Sequence, residues 1–116
     1  MSVINMDQRR NPRHKINSVV GIENIVSKEK LGMLANLSAD GFMMIGPALV
    51  SEGNTYQIKL SLSDPIDGHS HIDMAAECLW TNIADSEGKI WSGHRIIDIS
   101  EEDQKRVEFL IEQLNQ

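Results

Sequence analysis

Eight residues, TYQIKLSL at 55–62, leave the backbone little choice. Tyr56, Ile58, Leu60 and Leu62 are apolar, and Gln57, Lys59 and Ser61 between them are polar. A period of two places the apolar set on one face of an extended chain, so the segment predicts a half-buried strand. HIDMAAECLW at 71–80 repeats the pattern. Ile72, Met74, Ala76, Cys78 and Trp80 fall on one side, with His71, Asp73 and Glu77 on the other.

Turn chemistry separates these strands from their neighbours. SDPIDGHS supplies Pro65 and the Asp67-Gly68 pair between the two, and NIADSEGK stands between the second and IWSGHRIIDI. Both read as reversals joining antiparallel strands. INSVVGIENI, KLGMLANL and FMMIG add three shorter candidates. About six strands at this spacing fit a small barrel or sandwich, and 116 residues fit one domain.

The tail changes period. Ser100 with Asp103 three residues on resembles a capping box, and Val107, Leu110, Ile111 and Leu114 recur at helical spacing. A C-terminal amphipathic helix is predicted over about 100–114. Glu101 with Lys105 and Glu102 with Arg106 stand four apart with the acid first, an orientation that favours ion pairing along a helix. Phe109 falls about 160° from the apolar stripe.

Charge divides the chain unevenly. Residues 1–15 hold Asp7 against Arg9, Arg10, Arg13 and Lys15, a net of +3, which leaves −9 for the rest of a chain whose formal charge is −6. Duplex nucleic acid requires many phosphate neutralisations, so so acidic a body excludes it as a partner. A small anion meeting only the basic segment escapes that repulsion. The composition, 41% apolar and 24% charged, is that of a globular protein. The sequence contains no apolar run of the roughly 18–20 residues a membrane span needs, and MSVINMDQRR lacks the apolar centre of a signal peptide. No membrane insertion and a cytoplasmic location are therefore expected. The lone Cys78 forms no internal disulfide, in keeping with a reducing compartment.

Two short segments carry chemistry. In QRRNPRHK, Pro12 lacks an amide hydrogen and disfavours the helical region for Asn11, so residues 1–15 read as a flexible basic arm ahead of a domain at 16–116. A guanidinium presents five donors in one plane, which suits a phosphodiester oxygen pair, the O6/N7 edge of guanine or the face of a purine. NLSADG at 36–41 lies where a reversal is expected. Turn geometry alone accounts for Asn36, Ser38 and Gly41. The same groups also suit a nucleotide: the amide offers donor and acceptor side by side, the hydroxyl adapts, and a glycine permits close approach.

An Arg-x-x-x-Arg arm (Arg9, Arg13) followed some twenty residues later by Asn-x-Ser-x-x-Gly (Asn36, Ser38, Gly41) resembles the PilZ domain family. AAECLW ending at Trp80, Gly93-x-Arg95 in the next strand and the closing helix are similar to that family too. The resemblance covers about the whole chain. It implies a mainly β fold, a six-stranded antiparallel β-barrel with a C-terminal α-helix, that acts as a receptor for the bacterial second messenger cyclic di-GMP. By the same resemblance, Arg9 and Arg13 would hold guanine and phosphate from the arm, while Asn36, Ser38 and Gly41 would meet a guanine from the barrel. Arg10 would add a phosphate contact. Trp80 would offer a stacking surface if its strand end is exposed, although it shares the parity of the core residues Met74 and Cys78. Gln8, just ahead of the first arginine, occupies the position associated with how many ligand molecules stack; whether one or two bind is left open. The arm would order on the bound dinucleotide and pass a new surface to a downstream protein that the chain does not name.

Other classes fit less well. His69, His71 and Asp73 share a strand face without the further organised ligands of a metal site. Ser38 lies in no nucleophile elbow, and Cys78 shares the predicted core face, where a thiol is inert. No enzyme and no cofactor are expected. A barrel for single-stranded nucleic acid would display aromatic platforms in a basic groove, and two Trp, two Phe and one Tyr in an acidic body do not make one. The alternative is a PilZ-like adaptor that binds only protein, which would have no need of the arginine pair. Oligomeric state is not legible.

Overall fold

The computed structural model describes residues 19–114. The predicted arm, residues 1–15, falls outside them. Six strands follow in order: β1 (Gly21–Asn24), β2 (Lys30–Leu37), β3 (Gly41–Pro47), β4 (Thr55–Ile66), β5 (His69–Ile83) and β6 (Lys89–Asp98). A single helix, α1 (Glu101–Leu114), closes the chain. The strands form a closed antiparallel barrel in the order β1-β2-β3-β6-β5-β4, with β4 pairing back onto β1. The barrel and the helix are those the sequence predicts.

Alternation builds the wall. On β4, Ile58, Leu60 and Leu62 are buried while Gln57, Lys59 and Ser61 are not. The β4–β5 reversal is tighter than the turn-rich sequence suggests. Asp67 (φ 52°) and Gly68 (φ 78°) alone form it. Two successive positive φ angles characterise a primed hairpin turn, whose twist matches that of the strands. The flanking strands therefore run 12 and 15 residues, and Pro65 lies within β4 instead of in the turn. It is tolerated there because the ladder breaks its register between Ser61 and Ile66.

β2 departs from simple alternation. Leu31 and Leu34 are buried and Leu37 packs against the same core, a spacing of three. The pairing explains it. Ile22 faces Gly32 but Glu23 faces Lys30, and Leu34 faces Met44 but Asn36 faces Met43, so β2 carries an extra residue at two points. Each bulge returns a leucine to the interior and turns its polar neighbour out.

The helix completes the core. The Asp103 amide donates to Ser100 Oγ at 3.0 Å, the predicted cap. Val107 and Leu110 are buried in one cluster with Ile22, Leu60, Ile72 and Met74. Neither expected four-residue ion pair, Glu101 with Lys105 or Glu102 with Arg106, is present among the described residues. Instead Arg106 Nη1 donates to Asp103 Oδ1 at 2.7 Å. Arg106 is turned inward, and Asp103 is the carboxylate held there, because its other oxygen accepts the Asp73 amide of β5 at 3.3 Å. Among the described residues no helix is long and apolar enough to cross a membrane.

If α1 is part of the core and not an appended tail, Leu110→Ala should lower the free energy of urea unfolding by about 2–5 kcal/mol within a single transition. Phe109→Ala, on the exposed face of the same turn, should change it by no more than about 0.5 kcal/mol.

Candidate functional site

The outer wall where β2, β3, β6 and β5 run side by side is hollowed. Asn36, Ser38, Gly41, Phe42, Met43, Leu79, Trp80, Gly93 and His94 line a depression of about 260 Å³. Asn36, Ser38, Gly41 and Trp80, four of the residues singled out in the sequence, thus meet in one place. Arg9, Arg10 and Arg13 lie outside the described residues. A second hollow, of about 320 Å³, opens on β1, β2 and β4 beside Val19, Lys30 and Ser61 and contains none of the singled-out residues.

Bulges put these side chains outside. Asn36 is paired with Met43 beyond the extra residue Ala35, on the outer face. Trp80 depends on a bulge as well. Cys78 faces His94 but Trp80 faces Gly93, so Leu79 is the extra residue and the parity reverses. Simple alternation would have placed Trp80 with the core. The indole instead covers Gly93 on the outside, and a Cβ at that position would overlap the ring. Sequence reasoning noted Gly93 but not this seat, since nothing local marks a bulge at Leu79.

Gly41 has a structural duty of its own. A Cβ there would stand 2.5 Å from the His94 carbonyl oxygen, so the glycine is what lets β3 approach β6. Beside it the Ser38 amide donates to the Gly41 carbonyl at 2.8 Å. The Ser38 hydroxyl lies 3.0 Å from Asp40 Oδ1 and 3.1 Å from Gly41 O. Its proton is thus engaged within the turn, and its lone pairs remain for an incoming N–H donor. The turn is held from outside by Ile96, whose amide donates to Asp40 O at 2.9 Å, and by Gln104 of α1, whose Nε2 donates to Ala39 O at 3.3 Å.

Behind this wall, on the core side, lies a neutral aromatic pair. Phe42 and His94 stack with centroids 4.8 Å apart and planes 6° from parallel. His94 Nε2 shares a 2.9 Å hydrogen bond with the buried Ser92 hydroxyl. Burial lowers the His94 pKa to about 4, because the interior disfavours the charged ring. The walls therefore offer amide, hydroxyl, bare backbone and an indole face, a set suited to a flat polar heterocycle. Pockets that enclose whole drug-sized ligands occupy about 300–1,000 Å³. A hollow below that range holds only part of such a ligand and leaves the remainder to be covered from elsewhere.

The model of the PilZ domain matches residues 7–113, and the chain belongs to the PilZ domain family. Solved structures show the same fold. The PilZ domain of YcgR from Escherichia coli, in a structure with c-di-GMP, superposes with a TM-score of 0.64 at 16% identity, over 92% of this chain and 91% of that one. The Bacillus subtilis inhibitor of motility MotI gives 0.63 at 19% identity, over 94% of this chain. The chain spans about half of MotI, 52% of its length. The PilZ domain of CeSA from a cellulose-synthesizing bacterium gives 0.53 at 18% identity, over 91% of this chain and 100% of that one. Curated protein sequences yield no match.

Two outcomes test this geometry. In a Trp91→Phe background, Gly93→Ala should unseat Trp80 and shift its fluorescence to the red, at a cost of about 1–3 kcal/mol in stability. Acid should weaken the fold through His94. The unfolded chain takes up its proton near pH 6.5 and the folded one only near pH 4. Stability therefore falls as pH drops between those values, by about 3 kcal/mol in total, and the slope levels off below them. Urea midpoints measured from pH 7 to pH 4 should show that loss in the wild type and a smaller one in His94→Gln.

Proposed function

We propose that this chain is a cyclic di-GMP receptor. It takes one guanine of the dinucleotide into the hollow of Asn36, Ser38, Gly41 and Trp80 and grips the rest with Arg9, Arg10 and Arg13. The observation that carries the reading is the convergence of those four residues on one outer wall of a PilZ barrel. The YcgR PilZ domain, whose structure is with c-di-GMP, lends support by its fold. Asn36 reads a base edge, Ser38 accepts from a ring or amino N–H, Gly41 leaves room for the base, and Trp80 stacks on it.

The arm supplies what the hollow lacks. No cationic side chain lines the hollow among the described residues, and the ligand is a dianion. Hydrogen bonds to charged groups contribute roughly 1.5–3 kcal/mol each, and micromolar affinity requires about 8 kcal/mol. Two arginine forks with several neutral bonds reach that total. Ordering of the arm over the ligand then creates a surface for a downstream protein partner. The protein acts in the cytoplasm as a receptor, without catalysis and without a cofactor.

Calorimetric titration with cyclic di-GMP, with linear pGpG and GTP as controls, tests the reading directly. Saturable binding at low-micromolar concentration, selective for the cyclic form, is the expected result. Arg13→Ala should weaken it about thirtyfold, or about 2 kcal/mol. Absence of heat and of competition would favour an adaptor that binds only protein. Protection of residues 1–15 from proteolysis at saturating ligand would separate a closing arm from one that stays open.

A further inference from the structure

Arg95 stands beside the hollow and the reading above gives it no role. The pairing register places it directly between Gly41 on β3 and Glu77 on β5. Its side chain is directed toward Glu77, with Nη2 donating to Oε1 at 2.6 Å. On the β3 side only the bare backbone of Gly41 adjoins it, and two residues back along its own strand is Gly93, the floor beneath Trp80. No side chain of those two glycines separates the guanidinium from the hollow. The pair is also open to water, since the Arg95 side chain is 59% exposed and that of Glu77 30%. Exposed pairs of this kind hold together weakly and exchange readily for a better partner.

A phosphate is a better partner. It accepts a guanidinium fork in the same bidentate manner as a carboxylate. Among the described residues no cationic side chain lines the hollow, so a phosphodiester at its rim finds its nearest cation, by register, in Arg95.

We propose that Arg95 is an additional phosphate-binding residue of this site, kept in reserve by Glu77 and transferred to a ligand phosphodiester on binding. Glu77 is then a positioning residue that sets affinity by competing for Arg95. The inference rests on the receptor reading and makes a prediction contrary to intuition: removal of a conspicuous ion pair should improve binding.

The test is a double-mutant cycle read by cyclic di-GMP titration of the full chain, with thermal melting as the control for folding. Glu77→Gln should tighten binding about threefold. Arg95→Gln should weaken it about tenfold or more, and Arg95→Lys, which keeps the charge but not the fork, should recover part of the loss. In the Arg95→Gln background Glu77→Gln should change nothing. Wild-type affinity in Arg95→Gln overturns the inference. So does an equal gain from Glu77→Gln in both backgrounds, which would mark a general effect of removing negative charge. Absence of binding by the wild-type chain would remove the receptor reading and this inference together, whereas the other two outcomes remove the inference alone.

Discussion

The wall of a small barrel is one residue thick, so each side chain belongs either to the core or to the surface. One extra residue in a strand reverses that assignment for all that follows until the next irregularity. In this chain the reversal at Leu79 is what places Trp80 over Gly93 instead of beside Cys78. The irregularity at Ala35 does the corresponding work on β2, keeping Leu34 and Leu37 inside with Asn36 out. The site therefore owes its side chains to the points where strand regularity fails. The regular stretches supply the rigidity that holds those points in place.

Where alternation is strict, structure could be read from sequence residue by residue. Ile58, Leu60 and Leu62 on β4 and Ile72, Met74 and Cys78 on β5 are buried as their period requires, and the Ser100 cap and the Val107–Leu110 stripe lie as helical spacing predicts. The positions that escaped are those decided by a distant partner. Trp80 has the parity of a core residue until β6 pairs with β5 out of step. Asp103 is drawn by the β5 backbone, so Arg106 pairs three residues back instead of four. The motif residues Asn36, Ser38 and Gly41 were legible as a turn with polar capacity. That Gly41 is needed for the approach of β3 to β6, and that Gly93 seats an indole, depends on contacts between strands some fifty and more than ten residues apart in the chain, which no local pattern records.

Charge and shape act here on different parts of the molecule. No cation lines the hollow among the described residues, and behind it on the core side is a stacked Phe42–His94 pair, with a histidine that burial keeps uncharged down to about pH 4. On the proposed reading, recognition on that surface is a matter of fit and hydrogen bonding. The cations proposed to meet phosphate lie elsewhere in the sequence, at Arg9, Arg10 and Arg13 and at Arg95, in a chain whose net charge is −6. On the proposed reading, that division lets the surface discriminate a heterocycle while attraction to phosphate comes from arginines outside it.

Closure of the barrel bears on how anything downstream could recognise this molecule. β4 returns to β1, so among the described residues every strand has a neighbour on both sides. Addition of a strand from another protein, a common means by which sheet domains capture extended peptides, requires an open row of amides and carbonyls. Among the described residues no strand lacks a partner on one whole side. On the proposed reading, a companion protein would read side chains on the outside of the wall or along α1, the kind of surface that changes when a small molecule settles on it.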